Sequence, residues 1–293
     1  MILFESGSAS AAFYFAAEDY IMREMRPRVP ALMLWSTVPT VMLGANQDAG
    51  VEYDKEYAES EGVEVIRRAS GGGAIYTDPG TLQVTVILPF GKGGEGGKGG
   101  GGGEQGQGGE QGQGADAHSV AMEWLTAPII ETLASFGVAA AFEGRNDIMA
   151  NGRKISGLAH HIRHGYLCSH CSLLFDADLA RLARILTPDR SKYESKGITS
   201  VAARVGNIKD CIDSGQAATA AGAGTSADAR AATAAGADTS ADARTATAAG
   251  AVKETARILP AVPPPATTGD FRAALLKTYE KRGSISPQPI EFI

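Results

Sequence analysis

Residues Val63–Leu88 read VEVIRRASGGGAIYTDPGTLQVTVIL. β-Branched residues fill both ends of this stretch, and three consecutive glycines lie between them. The pattern predicts a strand over Val63–Arg67, a loop over Arg67–Tyr76, and a second strand over Leu82–Leu88 with Val84, Val86 and Leu88 on one face. Three glycines let the backbone take torsion angles that a Cβ forbids and approach a ligand closely. Successive N–H groups in such a turn form a nest suited to a phosphate or carboxylate. Strand alternation sends Arg67 and Arg68 to opposite faces, so one of them meets the ligand. The loop has neither P-loop spacing nor the dinucleotide fingerprint, because no helix opens directly after it. A flexible hairpin with solvated arginines fits the pattern as well as an anion site does, and the loop alone leaves both readings open.

Working outward toward the N-terminus, Asp54–Glu61 reads as a short helix stopped by Gly62. Ala31–Trp35 and Thr40–Gly44 read as short buried strands next to Pro30 and Pro39, and Ser10–Arg26 as a helix ended by Pro27. On the other side, a helix is expected over Ala117–Phe136, kinked at Pro128. Strands follow at Val138–Glu143, Asp147–Ala150, Lys154–His161 and Tyr166–Phe175. A helix over Asp176–Leu186 carries Leu179, Leu182, Ala183 and Leu186 on one stripe, and Asp270–Arg282 reads as an amphipathic helix through Phe271, Leu275, Leu276 and Tyr279. Strands and helices without strict βαβ alternation imply an α+β fold, with a mixed, largely antiparallel sheet and packed helices.

Two insertions have no core-forming residues. Gly91–Gly114 is almost entirely Gly, Gln, Glu and Lys, which gains nothing by burial and reads as a flexible loop. Residues 214–268 hold an Ala/Thr/Gly repeat of period 14 and then Pro263-Pro264-Pro265, with no large apolar residue for repeats to stack upon. The expected organisation is a folded body over 1–213 interrupted by the 91–114 loop, a low-complexity insertion over 214–268, and a 269–293 segment whose helix docks back on the body.

A net charge of −6 argues against nucleic acid as the main partner, because phosphate neutralisation needs a basic surface. No apolar run reaches membrane-spanning length and the N-terminus lacks a basic region followed by an apolar one, so no membrane role is expected and the reading is cytoplasmic. Three cysteines are too few for a disulfide framework. Cys168 and Cys171, with His164 and His170 nearby, have metal-ligand chemistry. Alternation along a strand, however, puts Cys171 on the face opposite Cys168 and His170, so no metal site is assigned.

A second constellation, Glu143–Ala159, reads EGRNDIMANGRKISGLA. Asn151-Gly152 is a type I′ hairpin signal. Lys154 then opens a strand whose partner carries Asp147, and Gly157 leaves room for a close neighbour. A lysine beside a hairpin turn is as readily a solvated charge as a functional one.

Four segments together carry a resemblance. Arg67–Asp78, RRASGGGAIYTD, resembles the lipoate-protein ligase signature RRxSGGGxVxHD. Asn146-Asp147 followed by Gly152–Ala159, GRKISGLA, resembles the family's second motif; Leu43–Gln47 resembles its upstream GxxQ segment and Lys196–Val201 its downstream KGITSV. The order is the family's. The resemblance implies the biotin/lipoate ligase fold, a mixed sheet with helices against one side. It also implies a two-step reaction: ATP and lipoate give lipoyl-adenylate, and a lysine of a lipoyl domain then attacks it. Carried over by position, Lys154 is the catalytic residue bridging the acyl carbonyl and the α-phosphate. Arg68, Gly71, Gly72, Gly73, Ala74, Ile75 and Tyr76 cradle the adenylate, with Asn146 and Asp147 beside it or its Mg²⁺. Ser70, Gly72, Lys154 and Gly157 contact lipoate. The implied acceptors are lipoyl domains of 2-oxoacid dehydrogenase complexes or the H protein of glycine cleavage. Ala45 stands where the family often has arginine and Thr77 replaces the signature histidine, which bears on nucleotide or acyl contacts.

Many bacterial members of the family carry a small accessory domain after this point. Here only the low-complexity insertion and one helix follow, which implies a separate accessory partner or transfer from a preformed adenylate. An octanoyltransferase of the same fold needs a cysteine just before the Asn146-Asp147 segment, and none occurs between Met1 and Leu167. Biotin ligation is disfavoured by the RRASGGGAIY loop, and a silent lipoyl-binding or regulatory module by the intact Lys154.

Overall fold

The structure, a computed structural model, describes residues 1–90, 117–186, 204–213 and 265–289. The 91–114 loop, most of 214–268 and the Lys196–Val201 segment lie outside the described residues. Two strands form the centre: β6 (Thr81–Pro89) and β10 (Tyr166–Leu174), paired antiparallel over their whole length. Both are buried on both faces rather than on one. Around them an eight-stranded sheet runs β11-β1-β2-β6-β10-β9-β8-β7. Its members are β1 (Ile2–Glu5), β2 (Ala31–Trp35), β7 (Ala140–Glu143), β8 (Asp147–Ala150), β9 (Arg153–Arg163) and β11 (Ser286–Pro289). The β1 pairs with β2 and β11 are parallel, and the remaining pairs are antiparallel.

Helices cover both faces of this sheet, where the resemblance implied one side. On one face α1 (Ala11–Tyr20) packs Ala11, Tyr14 and Ala17 against Met33, Trp35, Ile87 and Cys168. On the other, α3 (Ala127–Ser135) and α5 (Thr268–Arg282) place Ile129, Leu133, Phe271, Leu275 and Tyr279 against Val84, Val86, Leu167 and Leu173. The helix expected to kink at Pro128 changes just before it, through a π-helical turn at Met122–Thr126. Pro128 has no N–H for the Trp124 carbonyl four residues back, and the Tyr279 hydroxyl of α5 donates to that carbonyl at 3.0 Å. The same proline thus ties α3 to α5. A capping box at Thr267 and Asp270 starts α5.

A second sheet, β4-β3-β5, holds the glycine loop. In it β3 (Thr40–Leu43) pairs parallel with β4 (Glu64–Arg67) and antiparallel with β5 (Ile75–Thr77). The two strands read at 31–35 and 40–44 therefore belong to different sheets. Helices α2 (Lys55–Ser60) and α4 (Leu179–Ile185) cover the small sheet, with Ala58, Leu182 and Ile185 against Val41, Leu43 and Tyr76. Gly62, at φ 63°, turns the chain out of α2 into β4. Two short strands escaped the sequence reading. β5 forms inside the predicted loop by pairing with β3, and β11 contains prolines, tolerated because it is an edge.

Candidate active site

The β8–β9 hairpin turns at Asn151 (φ 49°) and Gly152 (φ 72°), the two left-handed residues a type I′ turn requires. Its register sets Asp147 opposite Gly157. The Lys154 ammonium lies over Gly157 and meets Asp147 Oδ1 at 2.7 Å. A Cβ on Gly157 would stand 2.9 Å from Lys154 Nζ, so the glycine is the space through which the lysine reaches its carboxylate. Arg204, which the sequence reading did not single out, binds the other oxygen of Asp147. Its segment is held against β9 by Gly206 N–H donating to the Lys154 carbonyl at 3.0 Å. One carboxylate therefore orients two cations, leaving a net positive cluster.

The glycine loop between β4 and β5 is laid on the segment after β3. Ala45 N–H donates to the Ser70 carbonyl at 2.9 Å, and Gly44 N–H to Gln47 Oε1 at 2.7 Å. A Cβ on Gly44 would sit 2.1 Å from the Gly72 carbonyl oxygen, which makes the upstream GANQ segment and the GGG loop a fitted pair. Alternation separates the two arginines as expected. Arg67 holds the carbonyls of Gly44 and Gln47 at 2.8 and 2.7 Å. Arg68 is buried, and its guanidinium donates to the carbonyls of Met42 (2.9 Å), Gly71 (2.8 Å) and Gly73 (2.8 Å) and to Ser70 Oγ (3.1 Å). Burial lowers its pKa to about 10, still well above neutrality, so it remains a cation. Arg68 thus occupies the loop's carbonyls. Among the described residues nothing accepts from the N–H groups of Gly71, Gly72 or Gly73. The loop keeps its donors free for an anion.

Ser70 is fully buried behind the loop, where its Oγ lies 2.6 Å from His170 Nε2. His170 Nδ1 is 3.3 Å from Glu18 Oε1, which also accepts from Thr85 Oγ1 at 2.9 Å. Asp78, the last residue of the signature, is structural. Its carboxylate accepts from Gly80 N–H and Asp178 N–H, both at 2.9 Å, fastening the loop's exit to α4. Burial raises the Asp78 pKa, opposed by those two hydrogen bonds.

The loop and the hairpin open on one cavity of about 410 Å³. Arg68, Gly72, Gly73, Ala74, Ile75, Tyr76, Asn146, Asp147, Lys154 and Gly157 all line it, whereas Ser70 and Gly71 do not. The sequence reading missed the apolar part of the lining, Phe15, Trp35, Met42 and Leu158, and the polar residues Gln83 and Arg204, and weighed His170 only as a metal ligand. Thr77 lies away from the cavity, buried with its hydroxyl 2.8 Å from that of Thr37, so the loss of the signature histidine alters packing beneath β5. Cys171 lines the cavity, but burial pushes its thiol up to about 12, which is unsuited to a thioester nucleophile.

The family model described as the lipoyl protein ligase A/B catalytic domain matches residues 10–98 and 112–221. The chain belongs to this family. Lipoate-protein ligase LplJ of Bacillus subtilis is 33% identical over 198 residues, 68% of this chain and 53% of that protein. The lipoyl ligase-family chain spans about half the length of the curated relatives it matches. Among solved structures, the bi-partite lipoate protein ligase of Thermoplasma acidophilum, described with its E2 lipoyl domain, aligns at a TM-score of 0.63 and 18% identity, covering 99% of this chain and 86% of that one. A lipoate-protein ligase A bound with ATP aligns at 0.60 and 17%, covering 99% and 88%. Both likenesses bear on the fold: an α+β domain with a large, mostly antiparallel sheet. No helix among the described residues is long and apolar enough to cross a membrane.

Proposed function

We propose that the chain is a lipoate-protein ligase catalytic domain that handles an acyl-adenylate and passes the acyl group to a lysine of a lipoyl domain. The observation that carries this reading is one cavity holding three unlike surfaces: apolar side chains, a loop with free N–H donors, and the Lys154–Asp147–Arg204 cluster. An acyl-adenylate has the matching parts, an apolar chain, an anionic phosphate and a reactive carbonyl between them.

In the first step a carboxylate oxygen of lipoate attacks the α-phosphorus of ATP, and the bond to pyrophosphate breaks. Negative charge grows on the phosphate oxygens, where preorganised Lys154, Arg204 and the loop N–H groups lower the barrier; one such donor is typically worth about 3–4 kcal/mol. In the second, the acceptor lysine's neutral amine attacks the acyl carbonyl and AMP leaves with the bonding pair, the amine proton passing to solvent. Lys154 acts as a fixed electrostatic clamp between carbonyl and phosphate and forms no bond itself. Both oxygens of Asp147 face cations, Lys154 and Arg204, so this reading assigns Mg²⁺ no ligand from that carboxylate. In this reading the ion arrives as part of the nucleotide complex, and no step is routed through the chain's carboxylates.

Lipoyl domains of 2-oxoacid dehydrogenases, or the H protein of glycine cleavage, are the proposed acceptors, in the cytoplasm. The solved bi-partite ligase with its E2 lipoyl domain supports lipoyl domains as acceptors, and the ATP-bound ligase of the same fold supports ATP as the activating substrate. In a second version a separate accessory polypeptide completes adenylation and this chain performs transfer; the solved ligase of the same fold that is described as bi-partite favours it. Incubation with ATP, Mg²⁺, lipoate and a lipoyl domain, read by intact mass, tests the proposal. One lipoyl group on the domain is expected. Modification from synthetic lipoyl-AMP alone selects the second version, and modification from neither donor refutes both.

A further inference from the structure

Beneath the glycine loop lies a group of side chains that the adenylate chemistry does not use. Strand β10 sends Cys168 and His170 to the same face, and α1 lays Glu18 across them. One donor atom from each of Glu18, Cys168 and His170 lies within 4.8 Å of the others, and all three residues are buried. The sequence reading considered Cys168 and His170 with His164 and Cys171. The structure removes both of the latter, since His164 sits at the outer β9–β10 turn near Asp19 and Cys171 points to the opposite face. It adds Glu18, which only the packing of α1 could bring.

A second, independent observation concerns His161. It is the register partner of Cys168 on β9, its ring lies 6.3 Å from that of His170, and both its ring nitrogens are buried with no hydrogen-bond partner among the described residues. The three close donors leave one position of a tetrahedral centre open, and the nearby imidazole with two unmet nitrogens marks polar need on that side. Glu18 adds to the case. It is a buried carboxylate whose neighbours are the Thr85 hydroxyl, the Cys168 thiol and the His170 ring, and a bound cation would offset the cost of burying it.

The geometry points to a divalent-cation site of the zinc class, held by Glu18, Cys168 and His170, with the His161 ring beside it and outside that close group. The choice of Zn²⁺ follows from a mixed thiolate, imidazole and carboxylate set. His170 also lines the main cavity, so the proposed site adjoins it through that ring. Coordination through Nδ1 leaves Nε2–H to donate to Ser70 Oγ at 2.6 Å, so the ion would orient the ring that in turn holds the glycine loop. Binding displaces the thiol proton, so affinity falls as pH falls.

The test uses the full chain, stripped with a chelator and then titrated with Zn²⁺ or Co²⁺. One equivalent per chain is expected, with a thiolate-to-cobalt charge-transfer band. Cys168→Ala and Glu18→Gln should each weaken zinc binding by at least about tenfold, and Cys168→Ala should abolish the band, while Cys211→Ala keeps both. X-ray absorption on the wild-type zinc form provides a check that does not depend on the folding of variants. One sulfur at about 2.3 Å with nitrogen and oxygen at about 2.0–2.1 Å is expected. Substoichiometric zinc in the wild type, a sulfur-free first shell, or unchanged binding in a folded Cys168→Ala variant would each overturn the site.

Discussion

Replacing Gly44 by alanine tests whether the upstream segment and the glycine loop act as one fitted surface. The new Cβ would stand 2.1 Å from the Gly72 carbonyl oxygen, where ordinary contact begins near 3.4 Å. The loop must therefore retreat by about 1.3 Å, the difference between those two distances. Gly72 cannot move alone, because Arg68 grips the carbonyls on either side of it, at Gly71 and Gly73. The displacement thus passes to the N–H groups proposed to meet the phosphate. Misplacement on the order of 1 Å commonly lowers rates about 10²-fold, whereas one extra methyl in a packed interior destabilises by about 1–3 kcal/mol. The expected outcome is a fall of about 10²-fold in kcat/KM for lipoyl-domain modification, with a folded protein of modestly lower Tm. Initial rates by intact mass, alongside thermal unfolding followed by circular dichroism, measure the two effects separately. A folded Gly44→Ala variant with rates within about threefold of wild type would refute the fitted-pair reasoning.

Gly157→Ala places a methyl 2.9 Å from the far end of the flexible Lys154 side chain, which swings aside at little structural expense. A rate loss of about 10–100-fold with under about 1 kcal/mol of destabilisation is expected, read by the same kinetics and by urea titration. Arg68→Lys removes a fork that serves three carbonyls and a hydroxyl, which one ammonium cannot replace. A loss of about 3 kcal/mol in urea unfolding is expected; an unchanged midpoint would show that the clamp is dispensable. Burial holds the folded Asp78 carboxyl above its ordinary value of 3.8, so its contribution favours the folded state at low pH and is lost as pH rises through the folded value. Asp78→Asn should flatten that part of the stability-versus-pH curve above pH 3.8. The variant also strands one of two buried N–H donors, at about 1–3 kcal/mol near neutrality. Parallel curves for variant and wild type would contradict this.

What the sequence made legible depended on how local each feature is. The β8–β9 hairpin was readable because Asn151-Gly152 dictates its turn and the turn dictates the register of Asp147 with Gly157. The role of Arg68 was not. Whether an arginine faces ligand or loop depends on the carbonyls that β3 presents, and β3 arrives from a distance in the chain. Arg204 and Glu18 were missed for the same reason, since neither has a local pattern that announces its partner. The continuous burial of β6 and β10 hid the second helical layer, because a strand covered on both faces loses its alternation. β5 is only three residues long and follows the glycine run, and β11 holds two prolines in four residues, so neither is read without its neighbours.

The central claim is that Lys154 stabilises charge on an acyl-adenylate held by the glycine loop. Single-turnover transfer from synthetic lipoyl-AMP to a lipoyl domain, comparing wild type with Lys154→Met, tests it without requiring ATP or any adenylation partner. Loss of one preorganised donor predicts a rate lower by about 10²–10³-fold at saturating lipoyl-AMP, with the variant still folded. A folded Lys154→Met protein that transfers at the wild-type rate would contradict the account.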